Sequence, residues 1–209
     1  MTDPDVELLE RWRGGDEAAG NRLVRLHFSA VYRFFGNKIP EGVADLTQLT
    51  FLALVESRDR IEAHTGFRAY LLGVARHKLI HHLRGRYRTD AVFSPEHVSV
   101  LDIEADPGPS PTHRLAEDQE RQLLDTALRS LPLDHQITLE LYYWDEMSVA
   151  EIATVLERSP GAIKSRLFRA RQLLAAQVER LARDPEPLLS RLEDELGSMR
   201  RPTVPPVPD

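Results

Sequence analysis

Residues Ser148–Gln172 read SVAEIATVLERSPGAIKSRLFRARQ, and this stretch predicts two short helices joined by a tight turn. Ser148 and Glu151 have the spacing of a capping box, in which the Ser hydroxyl accepts from the Glu151 N–H and the Glu carboxylate reaches back to the Ser148 N–H. Met147 and Ile152 sit where a hydrophobic staple fixes the entry of the chain. The first helix runs to about Leu156, and Glu157 and Arg158 make the turn. Ser159 is a good N-cap, with Pro160 at the first helical position, where its missing N–H costs nothing. In the second helix Ile163, Leu167, Ala170 and Leu174 recur at helical spacing and form its inward face. The remaining surface is cationic: Arg158, Lys164, Arg166, Arg169 and Arg171 occur with no acid between them. An amphipathic surface helix with solvated charges is the common origin of a basic stripe. Capping box, short turn, Ser-Pro start and an acid-free face together point instead to a helix shaped for the DNA major groove.

Composition bounds the rest. The 209 residues suit one large domain or two small ones, and a hydrophobic fraction of 42% is enough for packed cores. There is no Cys, which excludes disulfides, thiol nucleophiles and Cys-based metal sites. No apolar run approaches membrane-spanning length, and Met1–Leu9 is acidic rather than signal-like, so the expected location is cytoplasmic without membrane insertion. The net charge of -6 is unevenly spread. Between Arg58 and Arg88 eight basic residues face two acids, whereas 89–113 carries five acids and no Lys or Arg. Two basic patches therefore flank an acidic segment, and an acidic remainder suits a protein that also docks on a large partner.

Helical periodicity recurs along the chain. Asp3–Arg13 predicts a helix with Val6, Leu9 and Trp12 inward. A second runs from the Asp16 cap to about Asn37, with Leu23, Leu26, Val31, Phe34 and Phe35 available for a core. A third, Ala44–Arg60, carries Leu46, Leu49, Phe51, Leu52 and Val55, and a fourth, Phe67–Arg88, buries Phe67, Leu71, Val74, Ala75, Leu79 and Leu83. The segment 89–112 is rich in Pro and acid and reads as an extended linker. Helices at His113–Ser130 and Leu133–Trp144 then lead into the helix-turn-helix. Pro187–Met199 could form one more amphipathic helix, and 201–209, with four prolines, is expected to be disordered. The fold class is all-α: two small helical domains, 1–88 and 113–183, joined by the acidic linker 89–112, with a C-terminal extension at 184–209.

These motifs resemble bacterial RNA polymerase sigma factors of the extracytoplasmic-function (ECF) group of the sigma-70 family. Leu131-Pro132, Leu139–Tyr142, Ser148–Ala153 and Gly161–Arg171 follow the pattern of region 4. Ala44-Asp45-Leu46-Thr47-Gln48 with Phe51, and Phe67–Leu71 with Val74-Ala75-Arg76 and Leu83-Arg84, resemble region 2. Tyr70 stands where Trp is usual, His77 where Asn is, His81 where Asp is, and Glu157 at a turn position that often has Gly. The resemblance covers residues 5 to about 180.

The resemblance implies a detachable specificity subunit with no catalysis and no cofactor. Its implied partners are core RNA polymerase, promoter DNA and an anti-sigma factor or other regulator. Asp45, Leu46, Gln48 and Phe51 would dock on the polymerase clamp. Arg58, Arg60, His64, Arg68, Arg76, Lys78, Arg84 and Arg86 would serve the −10 element, with the 58–66 loop as base pocket. Ser159, Gly161, Lys164, Ser165, Arg166, Arg169 and Arg171 would serve the −35 element. The acidic linker would lie in the polymerase active-site and RNA-exit channels, imitating nucleic-acid charge. His77 and His81 have zinc-ligand spacing but no third ligand close in sequence, so no metal is expected. Two other readings are a sigma mimic that sequesters an anti-sigma factor and a stand-alone helix-turn-helix regulator.

Overall fold

The computed structural model describes residues 4–61, 66–86, 94–99 and 119–182. Eight α-helices occupy them: α1 Pro4–Arg13, α2 Glu17–Gly36, α3 Val43–Ser57, α4 Phe67–Arg86, α5 Gln119–Arg129, α6 Leu133–Tyr143, α7 Val149–Leu156 and α8 Pro160–Leu181. A 3-10 turn, Arg58–Arg60, ends α3 early. The expected helix over Pro187–Met199 and the C-terminal residues lie outside the described residues. Among those described, no helix is long and apolar enough to cross a membrane.

Helices α1–α4 form the first bundle. Asp16 caps α2 by accepting from the Ala19 N–H at 3.1 Å, and its carboxyl is held below the ordinary range mainly by Arg11. Trp12 lies flat against Gly20, where a Cβ would sit 2.5 Å from the indole nitrogen. Arg13 donates to the carbonyls of Arg58 and Ile61, so the end of α1 fastens the turn after α3. Leu8, Leu9, Leu23, Phe35, Leu54, Leu71, Leu79 and Leu83 fill the core.

Leu26 on α2, available to that core by its spacing, lies outside it at about half exposure, and so do Leu49, Leu52 and Val55 on α3. The face that α3 buries consists of Leu46, Thr47, Thr50, Phe51 and Leu54. Thr47 and Thr50 sit inward because their hydroxyls donate to the carbonyls of Val43 and Leu46, both at 2.7 Å, which removes the cost of burying them.

The second bundle, α5–α8, is closed by Leu131, Leu133, Ile137, Leu141, Ile152, Val155, Ile163, Leu167, Leu174 and Val178. The two bundles pack directly on one another, and their buried apolar residues form one continuous cluster. α4 packs on α7, with position 73 facing Val155: a Cβ there would lie 3.9 Å from Val155 Cα, an ordinary contact. The short stretch 94–99 lies on the second bundle. Its Val98 and Pro95 carbonyls accept from the Leu133 and Asp134 N–H groups at 3.0 and 2.9 Å, satisfying donors that the start of α6 leaves open.

Candidate nucleic-acid interface

The helix-turn-helix forms as its local chemistry dictates. The capping box closes in both directions, Glu151 N–H to Ser148 Oγ at 3.2 Å and Ser148 N–H to Glu151 Oε2 at 2.8 Å. Met147 and Ile152 are both buried at that entry. Glu157 closes α7 in the left-handed conformation at φ 53°, a strain of about 1 kcal/mol for a residue with a Cβ. Ser159 then accepts from the Ala162 N–H at 3.3 Å and starts α8.

α8 buries Ile163, Leu167, Ala170, Leu174 and Val178. Its outward row is Gly161, Lys164, Ser165, Phe168 and Arg169, all exposed. With no acid in the first turn, the helix dipole and free N–H groups leave this end electropositive. Space around Gly161 is open within 4 Å. Phe168, absent from the sequence-derived set, is 60% exposed. It falls outside the inward spacing of 163, 167, 170 and 174, which is the signal that could have found it.

Two of the expected reading arginines face elsewhere. Arg166 turns inward and donates to Asp134 Oδ2 at 2.9 Å and to Glu96 Oε1 at 2.8 Å. Arg171 lies against the Tyr142 and Tyr143 rings and donates to the Tyr143 hydroxyl at 2.5 Å. Arg158 reaches the same Glu96 oxygen at 2.6 Å, and these two arginines hold the Glu96 carboxyl below the usual glutamate range. His135, half-buried beside Arg166, is pushed toward the neutral form by burial first and by that guanidinium second.

On the first bundle Arg60 and Arg84 are exposed and Lys78 is half-buried. The Arg58 guanidinium lies over the Trp12 ring, 5.7 Å from its centroid. Arg68 and Arg76 depart from the expectation of free phosphate ligands. Arg68 donates to the Asp145 carbonyl and carboxylate, both at 2.7 Å, and Arg76 is buried on Asp134. His64, residues 62–65 of the expected base pocket and the Arg86 side chain lie outside the described residues. Tyr70 donates to the Ser57 hydroxyl at 2.8 Å, tying α4 to the end of α3.

Of the expected clamp residues, Asp45 and Gln48 are exposed, whereas Leu46 and Phe51 are core. The apolar members of that outer face are Leu49, Leu52 and Val55, beside Phe28 and Tyr32 of α2. Phe28 stacks between Tyr32 and Phe51 at centroid distances of 6.0 and 6.1 Å. Sequence periodicity missed this face because α3 is apolar nearly all round. Among the described residues no group of three or more His, Asp or Glu could hold a metal ion; exposed His77 instead contacts Glu157 at 2.8 Å.

A helix-turn-helix with an exposed basic reading face, carried beside a second basic bundle, defines a DNA-binding transcription protein. Residues 21–89 match the family model for sigma-70 region 2, and 121–174 match sigma-70 region 4. The chain is 32% identical over 186 residues to the ECF RNA polymerase sigma factor SigF of Caulobacter vibrioides, covering 86% of this chain and 98% of that one. It is 26% identical over 184 residues to the ECF RNA polymerase sigma-E factor of Escherichia coli, covering 86% and 96%. The solved structure of CnrH in complex with the cytosolic domain of CnrY superposes with a TM-score of 0.63 at 26% identity, covering 86% of this chain and 100% of that one. The sigma factor RpoE of Bartonella quintana, solved with the anti-sigma factor NepR, shares the fold with a TM-score of 0.58 at 22% identity, covering 76% and 96%. The chain belongs to the ECF sigma factors of the sigma-70 family and directs promoter-specific transcription initiation with core RNA polymerase.

Proposed function

We propose a division of labour among the exposed faces of this sigma factor. The outward row of α8, Gly161, Lys164, Ser165, Phe168 and Arg169, reads the −35 element in the major groove. Lys164 and Arg169 supply hydrogen bonds and charge, and Phe168 supplies apolar contact of the kind a thymine methyl offers. Ser159 and Gly161 place the helix start against a phosphate. The observation that carries this reading is the exposure of that row on an N-terminal turn without acids.

On the first bundle Arg58, Arg60, Lys78 and Arg84 hold the backbone of the −10 element, and the 58–66 loop receives a flipped base. Arg68 and Arg76 join them once released from their carboxylate partners. Asp45, Gln48, Leu49 and Leu52 dock on the polymerase clamp. Their support is an exposed apolar stripe edged by polar side chains, which is unusual on a free surface. The protein works in the cytoplasm, where promoter and polymerase are, and does no chemistry of its own. An anti-sigma protein is its expected regulator, by analogy with RpoE of Bartonella quintana, which was solved with the anti-sigma factor NepR. Run-off transcription with purified core polymerase, followed by mapping of start sites, tests the assignment. Lys164→Ala and Arg169→Ala should weaken promoter use at the −35 element, and Leu49→Asp should abolish polymerase binding.

A further inference from the structure

Arg22 and Arg25 of α2 take no part in the contacts described so far. Both are exposed, as are Asn21, Leu26 and Ser29 around them. Neither meets an acid among the described residues. Other exposed arginines do: Arg11 takes Asp16 at 2.7 Å, Arg33 takes Asp145 at 2.8 Å and Arg158 takes Glu96 at 2.6 Å. The chain carries 33 acids against 27 Lys and Arg, so an unmatched pair of cations runs against its average charge. Arg22 and Arg25 are also three residues apart, and like charges at that spacing destabilise a helix. No charge partner among the described residues offsets that cost. Lys164 and Arg169, on the outward row of α8, are left unmatched in the same way.

Their place in the first bundle says what meets them. His27 packs on Phe67, the first residue of α4, at a ring distance of 5.2 Å. Past the end of α2, a Cβ at position 42 would lie 3.8 Å from the His82 ring, near the end of α4. The two helices therefore run side by side in the same sense, and residues 17–26 of α2 project beyond the start of α4. The turn that opens the proposed base pocket lies at that end. Arg58 is 3.8 Å from Glu17, the first residue of α2, and its carbonyl accepts from Arg13 of α1 at 2.9 Å. Glu17, Asn21 and Arg25 recur every four residues and so share one face. A strand held at Arg58 and continuing along that face passes Asn21 and arrives between Arg25 and Arg22. Glu17, the one acid of α2, is offset there by Arg58. The connection to the −35-reading bundle leaves from the opposite end of α4, after Arg86, so the Arg22 end is the downstream one.

We propose that Arg22 and Arg25 hold backbone phosphates of the displaced single strand just downstream of the −10 element, with Asn21 donating beside them. The inference rests on the assignment of the first bundle to the −10 element and lengthens that track by two phosphates. A guanidinium on a phosphate is a charge-assisted contact that carries no base information. The pair therefore stabilises the open strand without choosing its sequence.

The probe is a fork made from the mapped promoter, duplex through the −35 element and single-stranded from the −10 element downstream. It is bound by holoenzyme assembled from core polymerase and the full-length chain. Arg22→Gln with Arg25→Gln should leave the melting temperature and the affinity for core polymerase unchanged. On the fork it should lower the salt slope of binding by about 1.4, at about 0.7 per phosphate contact on a single strand. Between about 50 and 200 mM salt the parent should accordingly lose about sevenfold more affinity than the variant. Arg22→Lys with Arg25→Lys should keep the parent's slope. A fork whose single strand stops at the last base of the −10 element should bind the parent and the Gln variant alike. An unchanged slope, or a slope difference that persists on the shortened fork, would overturn the proposal. Loss of core-polymerase binding by the Gln variant would assign the pair to protein docking and overturn it as well. The assignment beneath it fails differently: the parent holoenzyme would then not prefer the promoter fork to an unrelated one.

Discussion

Arg76 and Asp134 grip one another across the boundary between the bundles. Arg76 Nη2 lies 2.9 and 3.1 Å from the two carboxylate oxygens, and Nε lies 3.1 Å from the nearer one. Both side chains are nearly sealed from water, at 10% and 2% exposure. A buried pair of this kind adds little over a well-packed apolar pair, but removing one partner strands the other charge. Asp134→Ala should therefore cost about 3–5 kcal/mol in urea unfolding, because it orphans Arg76 and part of Arg166. The paired change Arg76→Met with Asp134→Leu should recover a large part of that loss. Equal stability of Asp134→Ala and the parent would show that the pair does not hold the bundles together.

Two local sites predict opposite signs. Ser148→Ala removes the N-cap acceptor of α7 and should cost about 1 kcal/mol. Glu157→Gly relieves the left-handed strain at φ 53° and should gain about 0.5–1 kcal/mol. Thermal melts of the two variants against the parent check both directions at once.

Gly20 is required by packing. A Cβ there would lie 2.5–2.6 Å from three indole atoms of Trp12, and a rigid ring cannot yield as a flexible side chain would. Gly20→Ala should destabilise by about 1–3 kcal/mol, despite the higher helix propensity of Ala. A neutral or stabilising effect would mean that α1 can shift away from α2 freely.

The Glu96 carboxyl is held down by Arg158 first and Arg166 second. A depressed carboxyl pKa in the folded state contributes stability above the unfolded value, near 4.5, and that contribution disappears as pH falls through the lower folded value. The difference in stability between the parent and Glu96→Gln should thus be constant from neutral pH down to about pH 5, and should shrink with further acidification. Urea midpoints across that range are the check; a difference that grows on acidification would contradict the assignment.

The apolar outer face of α3 separates folding from docking. Leu49→Asp and Leu52→Asp change half-exposed side chains, so the melting temperature should move little while co-elution with core polymerase is lost. Loss of both together would place those residues in the fold instead.

The reading of the sequence was strongest where the determinants are local. Ser148, Glu151, Ser159 and Pro160 set the starts of α7 and α8 through contacts three residues away, and the 163–167–170–174 spacing set the buried face of α8. Leu26 was expected in the core, and the buried and exposed faces of Leu49, Leu52 and Val55 stayed undivided, because hydrophobicity alone does not distinguish a core face from an exposed apolar one. In α3 the tie was broken by Thr47 and Thr50, whose hydroxyls satisfy themselves within the helix. Nor did Arg68, Arg76 and Arg166 announce their partners. Those carboxylates lie 77, 58 and 32 positions away in the chain, and a basic residue reads alike whether a phosphate or an aspartate will meet it.

Promoter choice by this sigma factor rests on the exposed row of α8. The decisive measurement is run-off transcription with core polymerase from its mapped promoter, comparing the parent chain with Lys164→Ala and Arg169→Ala. Specific transcripts from the parent and weakened promoter use by both variants are expected. Equal promoter use by all three chains would remove the −35 role of that row, and silence of the parent would remove the promoter function itself.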